Sequence, residues 1–330
     1  MKRATFRYAA MGAGAALALT SGAIALAATT DAAPTITAMT WNTCANTSPP
    51  THPTANSTCV NGRQTNKVAA GIKWHMDRHP GLNAVLLQEV CSADITKLSS
   101  TDSLKGWHFS FAPIKDQGTG SKPTAKPAPR HCATDVHTHA SRGEFGVAIG
   151  VKSAATFKTR YFPDKHQPMA RDRWKHWNVR QAAICADAKD LAATVCGTHL
   201  TPKDSGDADH PDAFWNAQKG QATDLRAYAE AGAYDTVLFG GDLNQAAPDG
   251  KHGYGDKSTV APLYAAYTDC DQANYGGKRD GTGTFQNADG TRGSKIDYLF
   301  TNKGATISCA VTKKHVSTSD HIPVTITVKR

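Results

Sequence analysis

Short apolar runs that end on a single polar side chain recur from residue 35 to the C-terminus. Thr35 to Trp41 ends on Asn42, Leu86-Leu87-Gln88 on Glu89, and Cys196-Gly197-Thr198 on His199. Val237 to Gly241 ends on Asp242, with Asn244 two residues further. Asp297 falls inside Lys295 to Leu299, and Asp320-His321 precede a last run in which Ile322, Val324, Ile326 and Val328 alternate with polar residues. Continuous apolar runs such as Ala84 to Leu87 and Val237 to Phe239 belong to strands covered on both faces. Desolvating a carboxylate or imidazole at the end of such a strand is costly unless a site uses it. The polar strand ends are therefore expected to gather at one rim of the sheets.

Between these runs the chain alternates strand and helix patterns without an internal repeat. Gly146 to Val151, Gln181 to Cys185, Ala192 to Leu200 and Ala305 to Ala310 read as further strands. Val68, Ile72 and Met76 mark one face of a helix over Asn66 to Met76, closed by Pro80-Gly81. Phe214, Ala217, Leu225 and Tyr228 do the same over Asp212 to Ala231. Pro113 to Arg130 and Pro202 to Pro211 have loop composition. No linker splits residues 34–330, so one domain is expected. Mixed strands with intervening helices indicate two β-layers flanked by helices, although periodicity alone does not separate that from a doubly wound sheet.

The N-terminus reads as an address. Lys2, Arg3 and Arg7 are followed by a small and apolar stretch from Tyr8 to Ala27, and Ala25-Leu26-Ala27 offers a small-x-small cleavage site. This is the pattern of a secretory signal peptide over residues 1–27, with an uncleaved anchor of similar length as the alternative. A secreted, extracellular protein also fits eight cysteines, an even number that predicts up to four disulfides. Cys185 and Cys196 flank a hairpin and are expected to pair, and Cys44 with Cys59 follows by proximity. With 40% hydrophobic and 20% charged residues the chain is neither disordered nor collagen-like, and a mean hydropathy of −0.44 excludes a polytopic membrane protein. Net charge is +9, or +6 once Lys2, Arg3 and Arg7 are removed, a mild bias toward polyanions.

Taken in order, Thr40-Trp41-Asn42, Leu86 to Val90, Gly197 to Leu200, Gly240 to Asn244, Lys295 to Phe300 and Ser319 to Val324 resemble the motifs of the endonuclease/exonuclease/phosphatase superfamily, the deoxyribonuclease-I-like fold. The resemblance runs from about residue 35 to the end. It implies a four-layered α/β sandwich: two mixed β-sheets packed face to face with helices outside. It also implies a metal site of Glu89 with Asn42 and Asp320, whose oxygen donors suit Mg²⁺, with Mn²⁺ as a substitute. Asp242 would orient or deprotonate the attacking water, and Asn244 would hold a phosphate oxygen. His199 and His321 would stabilise charge on the phosphoryl group, with Asp297 fixing His321. The reaction implied is in-line hydrolysis of a phosphoester. Arg180 resembles a phosphate-contacting arginine before the hairpin, and Glu144 is a candidate acid partner of His199; both read equally as surface charges at strand starts.

The superfamily spans several substrates. The inositol phosphatase pattern continues Asp-x-Asn with an aromatic and an arginine, whereas Gln245-Ala246-Ala247 follows here. A basic exported chain suits a nuclease acting on nucleic acid. A sphingomyelinase-like phosphodiesterase acting on phospholipid is the alternative, with Trp174 and Trp177 as candidate membrane aromatics. A non-catalytic, toxin-like module would ordinarily lack the metal glutamate or the final histidine, and both are present. Basic residues between Lys152 and Arg180 are interleaved with Phe157, Tyr161, Phe162, Trp174 and Trp177, a substrate flank or a solvated loop with core aromatics. His131, Cys132, His137 and His139 have the makings of a zinc cluster, but in an exported chain Cys132 is expected in a disulfide.

Overall fold

Alternate side chains of the first strand, β1 (Ile36–Asn42), enter two different cores. Ile36 and Ala38 face one, Met39 and Trp41 the other. That is the geometry of a strand buried on both faces, and it explains the unbroken apolar runs. In this computed structural model the described residues are 34–46, 59, 62–116, 127–167, 179–202, 211–287, 290–312 and 319–329. The signal-peptide segment, most of the Pro202 to Pro211 loop, Trp174 and Trp177 lie outside them.

After β1 come α1 (Thr65–Asp77), β2 (Ala84–Cys91), α2 (Ser92–Ser99), β3 (His108–Pro113), β4 (Lys115–Asp116) and β5 (Ala128–Pro129). The middle of the chain supplies β6 (Phe145–Val151), β7 (Ala155–Tyr161), β8 (Val179–Arg180), β9 (Ala182–Ala188) and β10 (Ala193–His199). Helix α3 (Pro211–Glu230), β11 (Val237–Asp242), β12 (Tyr267–Asp269), β13 (Asp297–Asn302), β14 (Thr306–Val311) and β15 (Val324–Lys329) complete it.

The strands form two six-stranded mixed sheets, in the orders β14-β15-β1-β2-β6-β3 and β12-β13-β11-β10-β9-β7. Leu86, Ile149 and Ile326 of the first sheet meet Ile184, Val195, Leu238 and Leu299 of the second in a shared core. The outer face of the first sheet carries Met39, Trp41, Val85 and Leu87 against Val68, Ile72 and Met76 of α1 and Ile95 and Leu98 of α2. The outer face of the second carries Phe239, Tyr298 and Phe300 against Ala222, Leu225 and Ala229 of α3. Helix, sheet, sheet, helix is the four-layered sandwich the motifs imply. Truncating a side chain such as Leu238 in the middle of it would cost about 2–5 kcal/mol.

Three local features depart from the sequence reading. The ends of the Pro113 to Arg130 loop are not irregular: β4 pairs with β5 and with β8 in a small third sheet. The stretch after Lys152 opens with an edge strand, β7, whose Phe157 and Tyr161 pack on the shared core, while Phe162 is fully buried; these aromatics are core rather than substrate flank. Lys158 on the same strand pairs with Asp187 at 2.8 Å.

Four disulfides close the chain and no described cysteine is free. Cys185–Cys196 joins directly opposed residues of β9 and β10, and Cys44–Cys59 also pairs as expected. Cys270–Cys309 and Cys91–Cys132 complete the set. The last of these consumes Cys132, so the His131, His137 and His139 region has no thiolate for zinc.

Candidate active site

Strand register alone brings three of the expected residues into one row. His199 at the end of β10 pairs with Asp242 at the end of β11, and Asp242 pairs in turn with Asp297 at the start of β13. Gly241 makes the approach possible: at φ +134° it lies where a Cβ would sit 1.9 Å from the Thr198 carbonyl oxygen. In the first sheet, Asn42 pairs with Gln88, next to Glu89. Thr40 pairs with Val324, which carries the chain from Asp320-His321 to the same rim.

Asp242 is the hub. Its Oδ2 accepts a hydrogen bond from Asn42 Nδ2 at 2.9 Å and lies 3.3 Å from His199 Nε2 and 3.6 Å from His321 Nε2. Its Oδ1 accepts the Asn244 N–H at 2.9 Å. Asn42 Nδ2 also donates to Glu89 Oε1 at 3.1 Å, so one amide links both sheets and two carboxylates. His321 Nδ1 sits 2.9 Å from Asp297 Oδ2, and Asp320 Oδ1 lies 4.0 Å from His321 Nε2. Asp297 Oδ1 is buried without a hydrogen-bond partner.

These distances fix the charges. Burial alone would neutralise His321, but Asp297 and Asp242 outweigh it and push the imidazole up to about 10. Burial would likewise raise Asp242; the two histidines and the bonds from His199 and Asn42 instead hold it down to about 2. His199 is raised, since Asp242 overcomes the desolvation of its ring. The rim is therefore a buried carboxylate between the imidazolium of His321 and the more basic ring of His199.

Two of the site residues occupy strained backbone. Glu89 has φ +52° and Asn244 φ +51°, in the left-handed region that non-glycine residues seldom enter. Glu89 sits in a β-bulge where the β2–β6 register shifts between Leu87 and Val90. The bulge turns its side chain away from the alternation of the strand and toward the rim. The Asn244 side chain donates to the Leu200 carbonyl at 2.9 Å, which leaves one amide hydrogen for another acceptor.

Arg180 and Glu144 reach the same rim but not the central cluster. Arg180, just ahead of β9, is held by Asp164 at 2.8 Å and by the Phe162 carbonyl. Glu144 precedes β6 beside Cys91, and after burial it is the main influence raising the Tyr161 hydroxyl. The acid beside His199 is Asp242, and the expectation that Glu144 fills that role is corrected: β10 is paired with β11, not with β6.

Sequence reasoning also missed three supports. Ser319 Oγ donates to the Asn42 carbonyl and accepts the His321 N–H, which locks the two motifs together; it lies inside a motif but has no ionisable group to draw notice. Trp41 Nε1 donates to the His321 carbonyl at 3.0 Å. Gln218 of α3 donates to the Leu243 and Asn244 carbonyls at 3.1 and 2.9 Å and so fixes the turn after Asp242.

Among the described residues two groups of donors stand close enough to hold a cation, Asp242 with Asp297 and His321, and Asp320 with Cys44 and Cys59. The first is already filled by the shared imidazolium protons, and the sulfurs of the second are spent in a disulfide. The donors that fit a hard divalent ion are Glu89 and Asp320. Burial raises the Asp320 carboxyl against the pull of His321, and the Glu89 charge adds to the rise, so a cation beside the two acids would favour the ionised form of Asp320.

The chain is similar in fold to several solved structures. An endonuclease/exonuclease/phosphatase from Beutenbergia cavernae is 17% identical, with a TM-score of 0.58 over 89% of this chain and 71% of that one. The human Nocturnin catalytic domain is 16% identical, with a TM-score of 0.53 over 90% of this chain and 93% of that one. A mannosyl-6-phosphatase from Bacteroides thetaiotaomicron is 13% identical, with a TM-score of 0.52 over 89% of this chain and all (100%) of that one. No curated protein sequence matches. The family model described as "Endonuclease/Exonuclease/phosphatase family" matches residues 39–321, from β1 through His321, and the chain belongs to that family of metal-dependent phosphoester hydrolases.

Proposed function

We propose that this protein is a secreted, Mg²⁺-dependent phosphodiesterase acting on nucleic acid. The observation that carries the reading is the Asp242 carboxylate shared by His199, His321 and Asn42, with the acidic pair Glu89 and Asp320 beside it. Export rests on the N-terminal pattern and is supported by four disulfides. The net positive charge favours a polyanionic substrate.

Glu89 and Asp320, with Asn42 alongside, would hold the metal, which when bound supplies Lewis-acid polarisation of a phosphoryl oxygen. Asp242 is ionised at any working pH, and its free lone pair directions orient a water for attack on phosphorus. His199 and His321 donate hydrogen bonds to the phosphoryl oxygens as charge accumulates on them; Asp297 and Asp242 hold His321 cationic, and Asp242 makes the His199 ring more basic. Asp297 keeps the Nδ1 proton of His321 in place, so that Nε2–H points at the substrate side. Asn244 offers its second amide hydrogen to a non-bridging oxygen. Arg180 and Glu144 lie further along the rim, where Arg180 can meet a flanking phosphate after releasing Asp164.

The test is a panel of plasmid DNA, RNA, sphingomyelin, a chromogenic phosphodiester and mannose 6-phosphate, each with EDTA, Mg²⁺ or Mn²⁺. DNA or RNA should be cleaved, EDTA should abolish cleavage and either metal should restore it. Glu89→Ala should raise the metal concentration needed as well as slow turnover. Hydrolysis of sphingomyelin or the sugar phosphate without nucleic acid overturns the substrate, and full activity in excess chelator overturns the mechanism.

A further inference from the structure

We propose that a cleft beside the candidate active site seats the stretch of polynucleotide flanking the scissile phosphate; this rests on the phosphodiesterase reading above and locates its substrate. The cleft encloses about 900 Å³ and shares three backbone segments with the site. Ala246 on its wall lies two residues past Asn244, and Ile296 immediately precedes Asp297. Phe285 forms an antiparallel bridge with His321 and sets its ring edge-on to the imidazole, with 5.6 Å between centroids. Phe285 is thus both a wall of the cleft and a neighbour of His321. A polynucleotide whose phosphorus faces His321 can extend past this ring into the cleft on one side of the scissile bond.

The walls suit an anionic chain with planar groups. Lys251, His252 and Arg292 stand exposed around the cleft, while Lys295 is buried in its wall with Asp269 as counter-ion. Asp280 is the one carboxylate among the described lining residues. The nearby Arg279 is clamped by Asp249 at 2.8 Å and Asp256 at 2.6 Å, so its charge is spent internally. Lys251 and His252 differ: among the described residues no hydrogen bond or ion pair engages them, which leaves them available to phosphates. Phe285 and Tyr275 supply aromatic surface on which a base can stack. A choline head group, by contrast, is itself cationic and would be repelled by this wall. Charge complementarity therefore favours nucleic acid over phospholipid.

Lys251→Glu combined with His252→Glu tests this, because both side chains are exposed and the fold is checked independently by thermal unfolding. Binding of a fluorescein-labelled single-stranded oligonucleotide is followed by anisotropy in EDTA, apart from any turnover. The double variant should bind about 10-fold more weakly, with a log-log salt slope smaller by about 0.7 for each phosphate that is no longer neutralised. In Mg²⁺, KM for the oligonucleotide should rise far more than KM for bis(p-nitrophenyl) phosphate, which is too small to reach past Phe285. Unchanged affinity and slope, or equal effects on both substrates, overturn the cleft. A wild-type protein that hydrolyses the small diester but neither binds nor cleaves the oligonucleotide overturns the nucleic-acid reading itself, and cleavage of sphingomyelin vesicles in its place identifies the lipid alternative.

Discussion

Acidifying the protein from pH 7.5 to pH 5 should cost the fold about 2 kcal/mol at His75 alone. His75 lies on the inner face of α1, 1% exposed, with its ring 4.6 Å from Trp41 and 4.8 Å from Trp74 between centroids. Burial, with smaller contributions from His79 and Arg78, lowers its pKa from 6.5 to about 4. The native state therefore keeps the ring neutral where the unfolded chain protonates it. Between these two values the unfolded state binds more protons, so stability falls as the pH falls, beginning near 6.5 and reaching its limit below 4. The full difference is worth about 3 kcal/mol, of which about 2 is lost by pH 5. Paired urea unfolding of wild type and His75→Phe at pH 7.5 and pH 5 isolates the effect, since the fixed cost of the substitution cancels in the pH difference. The gap between the two proteins should move by about 2 kcal/mol in favour of the variant on acidification. Asp242 does not confuse the result, because its carboxyl is held down to about 2 and titrates below this window. A gap that is the same at both pH values would refute a neutral, buried His75. The consequence reaches the site, since Trp41 bonds to the carbonyl of His321 and a charged His75 would unseat that indole.

Two further expectations concern single interactions. Asp297→Asn should keep the fold and metal binding but cut turnover by about 100-fold, and adding it to His321→Ala should cost little more than His321→Ala alone, because the pair acts as one unit; losses that multiply in steady-state kinetics would separate them. Arg142→Leu should destabilise by about 3–5 kcal/mol in denaturant unfolding, since it leaves Asp94 buried and uncompensated; a loss under about 1 kcal/mol would mean that the pair is not closed to water.

Much of this molecule is written in local pattern. Residues that alternate between two cores, as in β1 and β11, must be apolar at successive positions, and that requirement exposes both sheets and the helices on their outer faces. His199, Asp242 and Asp297 are legible because each interrupts such a strand, and burying a charge there without purpose is too costly to persist. Their alignment in one row is not legible, because parallel pairing of β10 with β11 depends on contacts across some 40 intervening positions of chain. Glu144 is misassigned from sequence for the same reason: proximity to His199 is a question of sheet order, which no local pattern carries. The cleft between residues 246 and 296 has no sequence signal because its walls come from turns and short 3-10 segments with no period to detect. Cys91–Cys132 and Cys270–Cys309 cannot be paired by proximity because their partners are 41 and 39 residues apart, beyond any hairpin.

What keeps the rim in shape is a set of braces around its strained residues. Glu89, Asn244 and Cys44 all have positive φ, and left-handed backbone at a non-glycine residue costs about 1–3 kcal/mol where nothing holds it. The Glu89 carbonyl accepts the Ala45 N–H at 2.8 Å, and the Ala45 carbonyl is in turn bound by the buried guanidinium of Arg142. That guanidinium also reaches Asp94 at 2.9 Å, Gly62 at 2.7 Å and Thr65 at 3.1 Å, so it ties the loop after β1 and its own loop before β6 to the starts of α1 and α2. Cys44–Cys59 and Cys91–Cys132 fasten the same two loops covalently. Asn244 is held differently, with Asp242 on its N–H and Gln218 on its carbonyl. The two sides of the rim are therefore fixed by separate devices and meet where Asn42 bonds both Glu89 and Asp242 and where His321 reaches Asp242 and Asp297. Loosening the Arg142 side should misplace Glu89, and with it metal affinity, while leaving the Asp242–Asn244 turn intact; loosening Gln218 should do the reverse. A metal titration of Arg142→Lys beside Gln218→Leu separates the two. Equal loss of metal affinity in both variants would show that the rim moves as one body, and the division into two independently braced sides would fail.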